Sequence, residues 1–410
     1  MNNSINETVI LEKFDSNQKI SEQTLKSTDT WKKHSRMWGD KMHRICSYVA
    51  MFPPTLANYF IDKYSNEGDV VLDTFSGRGT TLLESRILNR ITYAIDLNPF
   101  AYILSKSKAQ SYQLQDVVNR INTWEYSFYQ NDKKIKIDQS MRVFYSKRNL
   151  IQLSFIKNNY GDKWRELDEI DNFILSITLG LMHGPARKNQ DTMYFSLSMS
   201  NCISMSSNYV KNYARNKKLK YPKDNIFQKI RNRAIEILQK SDSNKNDNFA
   251  HVYFGNSLEI ENYMDNVKPN LIFTSPPYLN IVNYTKQNWI KMWLLGFDTN
   301  KKNKSLKLDD YHNINEYINF MHNYLNAVLN IMNENTTLAL VIGDVQKNDK
   351  IYSFSQMWDE NLKYRLNDLI LNEIYTDEIN QNKKATNSMG KKAGKATRID
   401  KIYIFKKINL

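Results

Sequence analysis

The stretch from Val70 to Asp96 constrains the fold of this chain more than any other. Val70-Val-Leu-Asp73 is a short apolar run ending in an acid, the pattern of a buried strand. Thr74-Phe-Ser-Gly-Arg-Gly79 follows, then a helical stretch from Thr80 to about Asn89, then Ile91-Thr-Tyr-Ala-Ile-Asp96, a second strand ending in an acid. Strand, glycine turn, helix, strand is a βαβ unit, and such units build open parallel sheets with ligands at the carboxyl edge. Gly77 and Gly79 allow a sharp turn and a close approach of backbone to ligand. The helix that follows presents free N–H groups suited to a carboxylate. Asp96 ends the second strand, as an acid that binds two ribose hydroxyls does. Dinucleotide sites share this layout, and a tight turn with no ligand is the plain alternative.

The same alternation runs through other parts of the chain. Pro53-Pro54 opens a helix to Tyr64, with Leu56, Tyr59, Phe60 and Tyr64 at helical spacing. Residues 98–108 read as the next helix. From about 110 to 248 the pattern is mainly helical, with a buried helix over 173–182 and basic amphipathic ones over 208–220 and 224–238. Strands are expected again at 251–254, 270–274 and 338–342, with a helix over 315–332. Residues 401–405 form a last strand, expected at the sheet edge.

A second constellation follows the apolar strand Leu271-Ile-Phe273. In Thr274-Ser-Pro-Pro-Tyr278 two prolines stiffen the backbone and forbid helix. Pro276 keeps a carbonyl that no continuing strand can use, Ser275 adds a side-chain acceptor, and Tyr278 adds a flat ring. Acceptors beside a ring suit a planar base bearing an amino group. A rigid turn before a helix is the structural alternative. Asn283, Tyr284 and Trp289 follow the turn and suit either a base pocket or plain aromatic packing.

Asp-x-Phe-x-Gly-x-Gly-Thr-Thr together with Ser-Pro-Pro-Tyr resembles the amino-group DNA methyltransferases, which make N4-methylcytosine or N6-methyladenine. The likeness runs over roughly residues 43–110 and 250–345. It implies an α/β fold: a Rossmann-like sheet that uses S-adenosylmethionine, with helices on both faces and a mainly helical inserted lobe. Four regions follow: an accessory arm (1–42), a cofactor-binding half (43–110), a helical insertion suited to DNA recognition (111–248) and a catalytic half (249–410). By this resemblance Asp73, Phe75, Gly77, Gly79, Thr80, Asp96 and Asn98 line the S-adenosylmethionine site, with Asn256 and Ser257 near the adenine. Ser275, Pro276, Pro277 and Tyr278 are the expected catalytic residues. In the family a leading serine is associated with cytosine-N4 and an aspartate with adenine-N6, which favours cytosine-N4 here. Adenine-N6, an RNA base amine, or an inactive nucleic-acid binder are the alternatives. Two features depart from the common pattern. The cofactor motif precedes the catalytic one, and the large insertion falls between the second and third strands.

Charge agrees with a polyanionic partner. Lys plus Arg is 57 against 43 for Asp plus Glu, a net charge of +14, and binding phosphates releases counterions. A lysine-rich proteome produces the same balance, so charge alone speaks only to non-specific association. Double-stranded DNA is the expected partner, beside a cognate restriction endonuclease. Lys211, Arg215, Lys217 and Lys218, and Lys391 and Lys392 in the tail, are candidate phosphate contacts. A solvated helix face explains the first group equally well. Cys46 and Cys202 have no CxxC spacing, so neither a disulfide framework nor a metal site is expected. No Pro-Cys motif is present for cytosine-C5 chemistry. No apolar run approaches the roughly 20 residues needed to span a bilayer. The start lacks a signal-peptide pattern, and a cytoplasmic location is expected.

Overall fold

In the computed structural model, the short apolar runs pair into one sheet. Residues 21–24, 38–131, 135–241, 250–264, 266–277, 283–297, 308, 313–347, 350–378 and 395–408 are described. The strands are β1 (Ser21–Thr24), β2 (Val70–Asp73), β3 (Ile91–Asp96), β4 (Ala250–Phe254), β5 (Leu271–Thr274), β6 (Thr337–Lys347), β7 (Lys350–Tyr352), β8 (Leu369–Glu378) and β9 (Lys395–Lys407). Their order is β1-β8-β9-β6-β5-β2-β3-β4, with β7 paired to β6. Strands β2 to β6 run parallel, whereas β9 is antiparallel to both β6 and β8.

Burial explains why the central strands read as continuous apolar runs. Val71, Leu72, Leu271, Ile272 and Phe273 are wholly buried, because helices cover both faces of a parallel sheet. On one face lies α1 (Pro54–Tyr64), whose Leu56, Phe60 and Ile61 share a cluster with Val71, Phe273 and Ala339. On the other lies a long helix, Ile314–Ile331, opened by an Asn313–Glu316 capping box. Its Tyr317, Met321, Tyr324 and Leu325 pack with Leu72, Ile95 and Ile272. The helix after the glycine turn is α2 (Thr80–Ile87), and α3 (Pro99–Lys106) follows β3. A doubly covered parallel sheet with one reversed strand near its end is the Rossmann-like methyltransferase sheet that the resemblance implies.

Two sequence expectations change. Residues 401–405 were expected at an edge, but β9 lies between β6 and β8. Its Ile402, Tyr403, Ile404 and Phe405 are buried on both faces, as an interior strand requires. Strand β8 was not foreseen, because a register shift between Leu371 and Glu373 interrupts its pattern. A four-residue strand from the expected arm, β1, adds to β8 in parallel.

Residues 111–241 supply α4 (Leu114–Asn131), α5 (Lys147–Ile156), α6 (Glu169–Leu181), α7 (Ser207–Lys217) and α8 (Ile226–Leu238). These helices have no core of their own. Trp124, Leu153, Phe173, Ile177 and Phe227 share one cluster with Phe100 and Leu104 of α3 and with Met42 and Ile45. The helical block therefore packs directly on the glycine-turn half of the sheet. Among the described residues, no helix is long and apolar enough to cross a membrane.

Candidate active site

The glycine turn and the proline turn leave adjacent parallel strands at the same sheet edge, because β2 pairs with β5. Asp73, at the end of β2, ties the two turns together. Its Oδ1 accepts from Phe75 N at 3.2 Å and from Thr274 Oγ1, at the end of β5, at 2.7 Å. Thr274 Oγ1 also accepts from Phe75 N at 3.1 Å. Asp73 is only 1% exposed. Burial raises its pKa to about 6, against the opposing hydrogen bonds from Thr274, Thr81 and Phe75.

Beyond Asp73 the chain turns through two left-handed glycines, Gly77 at φ +53° and Gly79 at φ +73°. A Cβ on Gly79 would sit 3.0 Å from Ser105 Cα, so both conformation and space exclude a side chain there. The turn is held against β3 and α3. Gly77 N donates to Asp96 Oδ2 at 2.8 Å, and Ser76 Oγ and Ser105 Oγ lie 2.9 Å apart. Asn98 N donates to Asp96 Oδ1 at 2.8 Å. Each Asp96 oxygen thus takes one backbone N–H and keeps further acceptor capacity. Burial is the main cause that lifts Asp96 to about 7. The two N–H groups oppose the rise, and the charge of Asp73 adds to it.

These elements line one cleft at the sheet edge. Of the residues expected from sequence, Phe75, Gly77, Thr80, Asp96, Asn98, Asn256, Ser257, Ser275 and Pro277 line it. Asp73, Gly79 and Pro276 were expected at the ligand surface and are not among the lining residues. They lie in the supporting layer, where Asp73 joins the strand ends, Gly79 starts α2 and Pro276 is buried. On the proline turn, Ser275 Oγ donates to Val341 O of β6 at 2.8 Å. With that proton committed, the Ser275 oxygen meets any further partner as an acceptor. Tyr278 lies outside the described residues, as do Lys391 and Lys392.

Tyr284, a candidate base-pocket residue, also lines the cleft, whereas Tyr48 and Arg78 were not foreseen. Tyr48 stacks between Phe100, at 5.4 Å between ring centroids, and Tyr284, at 5.8 Å. Its hydroxyl accepts from Asn98 Nδ2 at 3.3 Å. Arg78, between the two glycines, also lines the cleft. Motif reading treats that position as free. Lys211, Arg215 and Lys217 on α7 and Lys218 at its C-terminal cap are solvent-exposed, and none lines the cleft.

Comparison with known proteins agrees with this geometry. A family model described as DNA methylase, for N6 and N4 methyltransferases, matches residues 2–107. That span holds the glycine turn and Asp96. The chain is 22% identical over 384 residues to the Type II methyltransferase M.MjaII of Methanocaldococcus jannaschii, covering 74% of this chain and 72% of that one. It is 29% identical over 129 residues to the Type II methyltransferase M.MvaI of Kocuria varians, covering 28% of each. Among solved structures, TrmN from Thermus thermophilus aligns over 87% of this chain and 49% of its own, at 8% identity and a TM-score of 0.32. The chain is thus similar to the amino-group DNA methyltransferases, a likeness that implies S-adenosylmethionine as methyl donor.

Proposed function

We propose that this chain methylates the exocyclic N4 amine of cytosine in double-stranded DNA, with S-adenosylmethionine bound in the cleft beside the glycine turn. The observation that carries this reading is the junction of the two turns: Asp73 and Thr274 bond at 2.7 Å, and both turns contribute to one cleft. The two Type II methyltransferases matched above favour a role in restriction and modification, beside a cognate endonuclease.

The lining fits the donor. The remaining acceptor capacity of Asp96 suits the two ribose hydroxyls, and Asn256 and Ser257 suit the adenine edge. Gly77 leaves room for close approach. Tyr48 and Phe75 offer aromatic faces, which attract a cation such as a sulfonium. The donor supplies an electrophilic methyl group.

On the acceptor side, the base leaves the duplex before reaction. Ser275 Oγ, its own proton held by Val341, accepts one hydrogen of the base amine. The carbonyl of Pro276, a residue buried just behind the lining between Ser275 and Pro277, takes the other as the base enters, and Tyr278 stacks on the flipped ring. Both bonds pull the amine towards a geometry with a lone pair aimed at the methyl carbon. Such alignment contributes up to about 7–11 kcal/mol at its favourable limit. A neutral serine in place of an aspartate supports cytosine over adenine. The exposed cations of α7 suit contacts with the DNA backbone.

Nucleoside mass spectrometry on DNA treated with the protein and isotopically labelled donor tests the reading. N4-methylcytosine is the expected product. N6-methyladenine would redirect the base assignment, and no label in DNA with folded protein would overturn the enzymatic reading.

A further inference from the structure

Arg78 stands between the two glycines of the turn, is 7% exposed, and borders the cleft. Its Nε donates to Thr80 Oγ1 at 3.1 Å and its Nη1 to the His43 carbonyl at 3.1 Å. These two bonds orient the guanidinium. Its Nη2 has no hydrogen-bond partner among the described residues, and no carboxylate there forms an ion pair with it. A buried cation of this kind is costly unless an anion joins it.

The surroundings do not relieve that shortage of negative charge. Lys108, 1% exposed, donates a side-chain N–H to the Arg78 carbonyl and adds no negative charge; burial, then the charge of Arg78, holds its pKa well below the ordinary lysine value. The nearby acid, Glu84, is engaged with His43 at 2.6 Å and Asn58 at 2.8 Å. Burial holds Glu84 at a pKa of about 8, so much of it is protonated at neutral pH and offsets little of the charge. Arg78 therefore borders one end of the cleft as a buried cation without a full counter-charge. At that same end α2 begins at Thr80, directing backbone N–H groups outward.

We infer that Arg78 is a binding residue whose unpartnered guanidinium edge takes the carboxylate of the donor's amino-acid tail, beside the first N–H groups of α2. This rests on the reading that the cleft holds S-adenosylmethionine. The guanidinium then contributes affinity for ligands with an amino-acid tail and none for the bare nucleoside. A lysine there would keep the charge but lose the planar fork that matches a carboxylate.

Isothermal titration of the full chain with two ligands tests this. S-adenosylhomocysteine carries the amino-acid tail, and 5′-methylthioadenosine shares its nucleoside thioether but lacks the carboxylate. Arg78→Gln is expected to weaken S-adenosylhomocysteine by roughly 10- to 100-fold, the scale of a lost charged hydrogen bond, and to leave methylthioadenosine unchanged. Arg78→Lys should fall between. An equal loss for both ligands, or no loss for S-adenosylhomocysteine, overturns the inference, as would a guanidinium reserved for DNA phosphate. Should Arg78→Gln bind neither ligand, Arg78→Lys decides by the same comparison. Wild-type protein that binds neither ligand would instead refute the reading of the cleft, and this inference with it.

Discussion

The glycine turn and the proline turn border one cleft but are made rigid in opposite ways. The glycine turn is soft in covalent terms and is held by hydrogen bonds: Gly77 to Asp96, Ser76 to Ser105, Phe75 to Asp73 and Arg78 to Thr80. The proline turn is stiff in covalent terms, and Ser275 gives its proton to Val341. A donor site needs shaped acceptors and close backbone approach, which glycine and a buried acid provide. An amine-accepting site needs oxygens held still and not consumed by secondary structure, which proline provides. The bond between Asp73 and Thr274 makes these two devices one site.

That contrast can be broken one side at a time. The largest effect is expected at Asp96, which holds the turn and is the proposed ribose ligand. Asp96→Ala should weaken S-adenosylhomocysteine by about 100-fold or more, since several bonds to a charged group are lost together. Titration calorimetry measures this, and a change under threefold would remove Asp96 from the donor site. On the other side, Ser275→Ala should lower single-turnover methyl transfer by roughly 10- to 100-fold with donor affinity unchanged. A variant that loses donor affinity instead would place Ser275 with the wrong turn. Gly79→Ala should destabilise the fold by about 1–3 kcal/mol, through left-handed strain and the contact with Ser105. Chemical denaturation reads that value, and an unchanged midpoint would contradict the close approach.

The smallest effects follow pH. Asp96 is raised to about 7, so its carboxylate fills as pH rises from 6 to 8. Donor affinity should rise by about tenfold over that range, and Asp96→Asn should flatten the profile. Stability of the free protein should move the other way. Asp73 at about 6, Asp96 at about 7 and Glu84 at about 8 all lie above their unfolded values. Their stabilising contribution is fully present below about pH 4 and is lost as pH rises from there, through about 6 for Asp73, 7 for Asp96 and 8 for Glu84. Thermal melts of free wild-type and Asp96→Asn protein from pH 5.5 to 8.5 check the sign. A wild-type curve that falls no more steeply with pH than the variant's would contradict it.

The β2–α2–β3 unit was legible because its information is local: apolar runs, glycines and terminal acids within one short stretch. The helix Ile314–Ile331 was also legible, its expected span of 315–332 lying within one residue of the observed one. The place of β9 was not, because an interior position depends on β8, whose own pattern is broken at the register shift. The role of Asp73 was partly hidden. Its motif position was plain, but its partner Thr274 stands 201 residues away, and only the pairing of β2 with β5 brings them together. Tyr48 and Arg78 escaped because neither belongs to a recurring spacing. Tyr48 acts through stacking between distant rings, and Arg78 through burial without a counter-charge.

The central claim is that the donor, seated in the glycine turn, opens onto the acceptor oxygens of the proline turn. A crystal structure with sinefungin, which carries an amine in place of the sulfonium methyl, tests it most directly. The ribose should contact Asp96, and the amine should face Ser275 Oγ and the Pro276 carbonyl with no side chain between them. Sinefungin bound elsewhere, or its amine walled off from Ser275, would contradict the account.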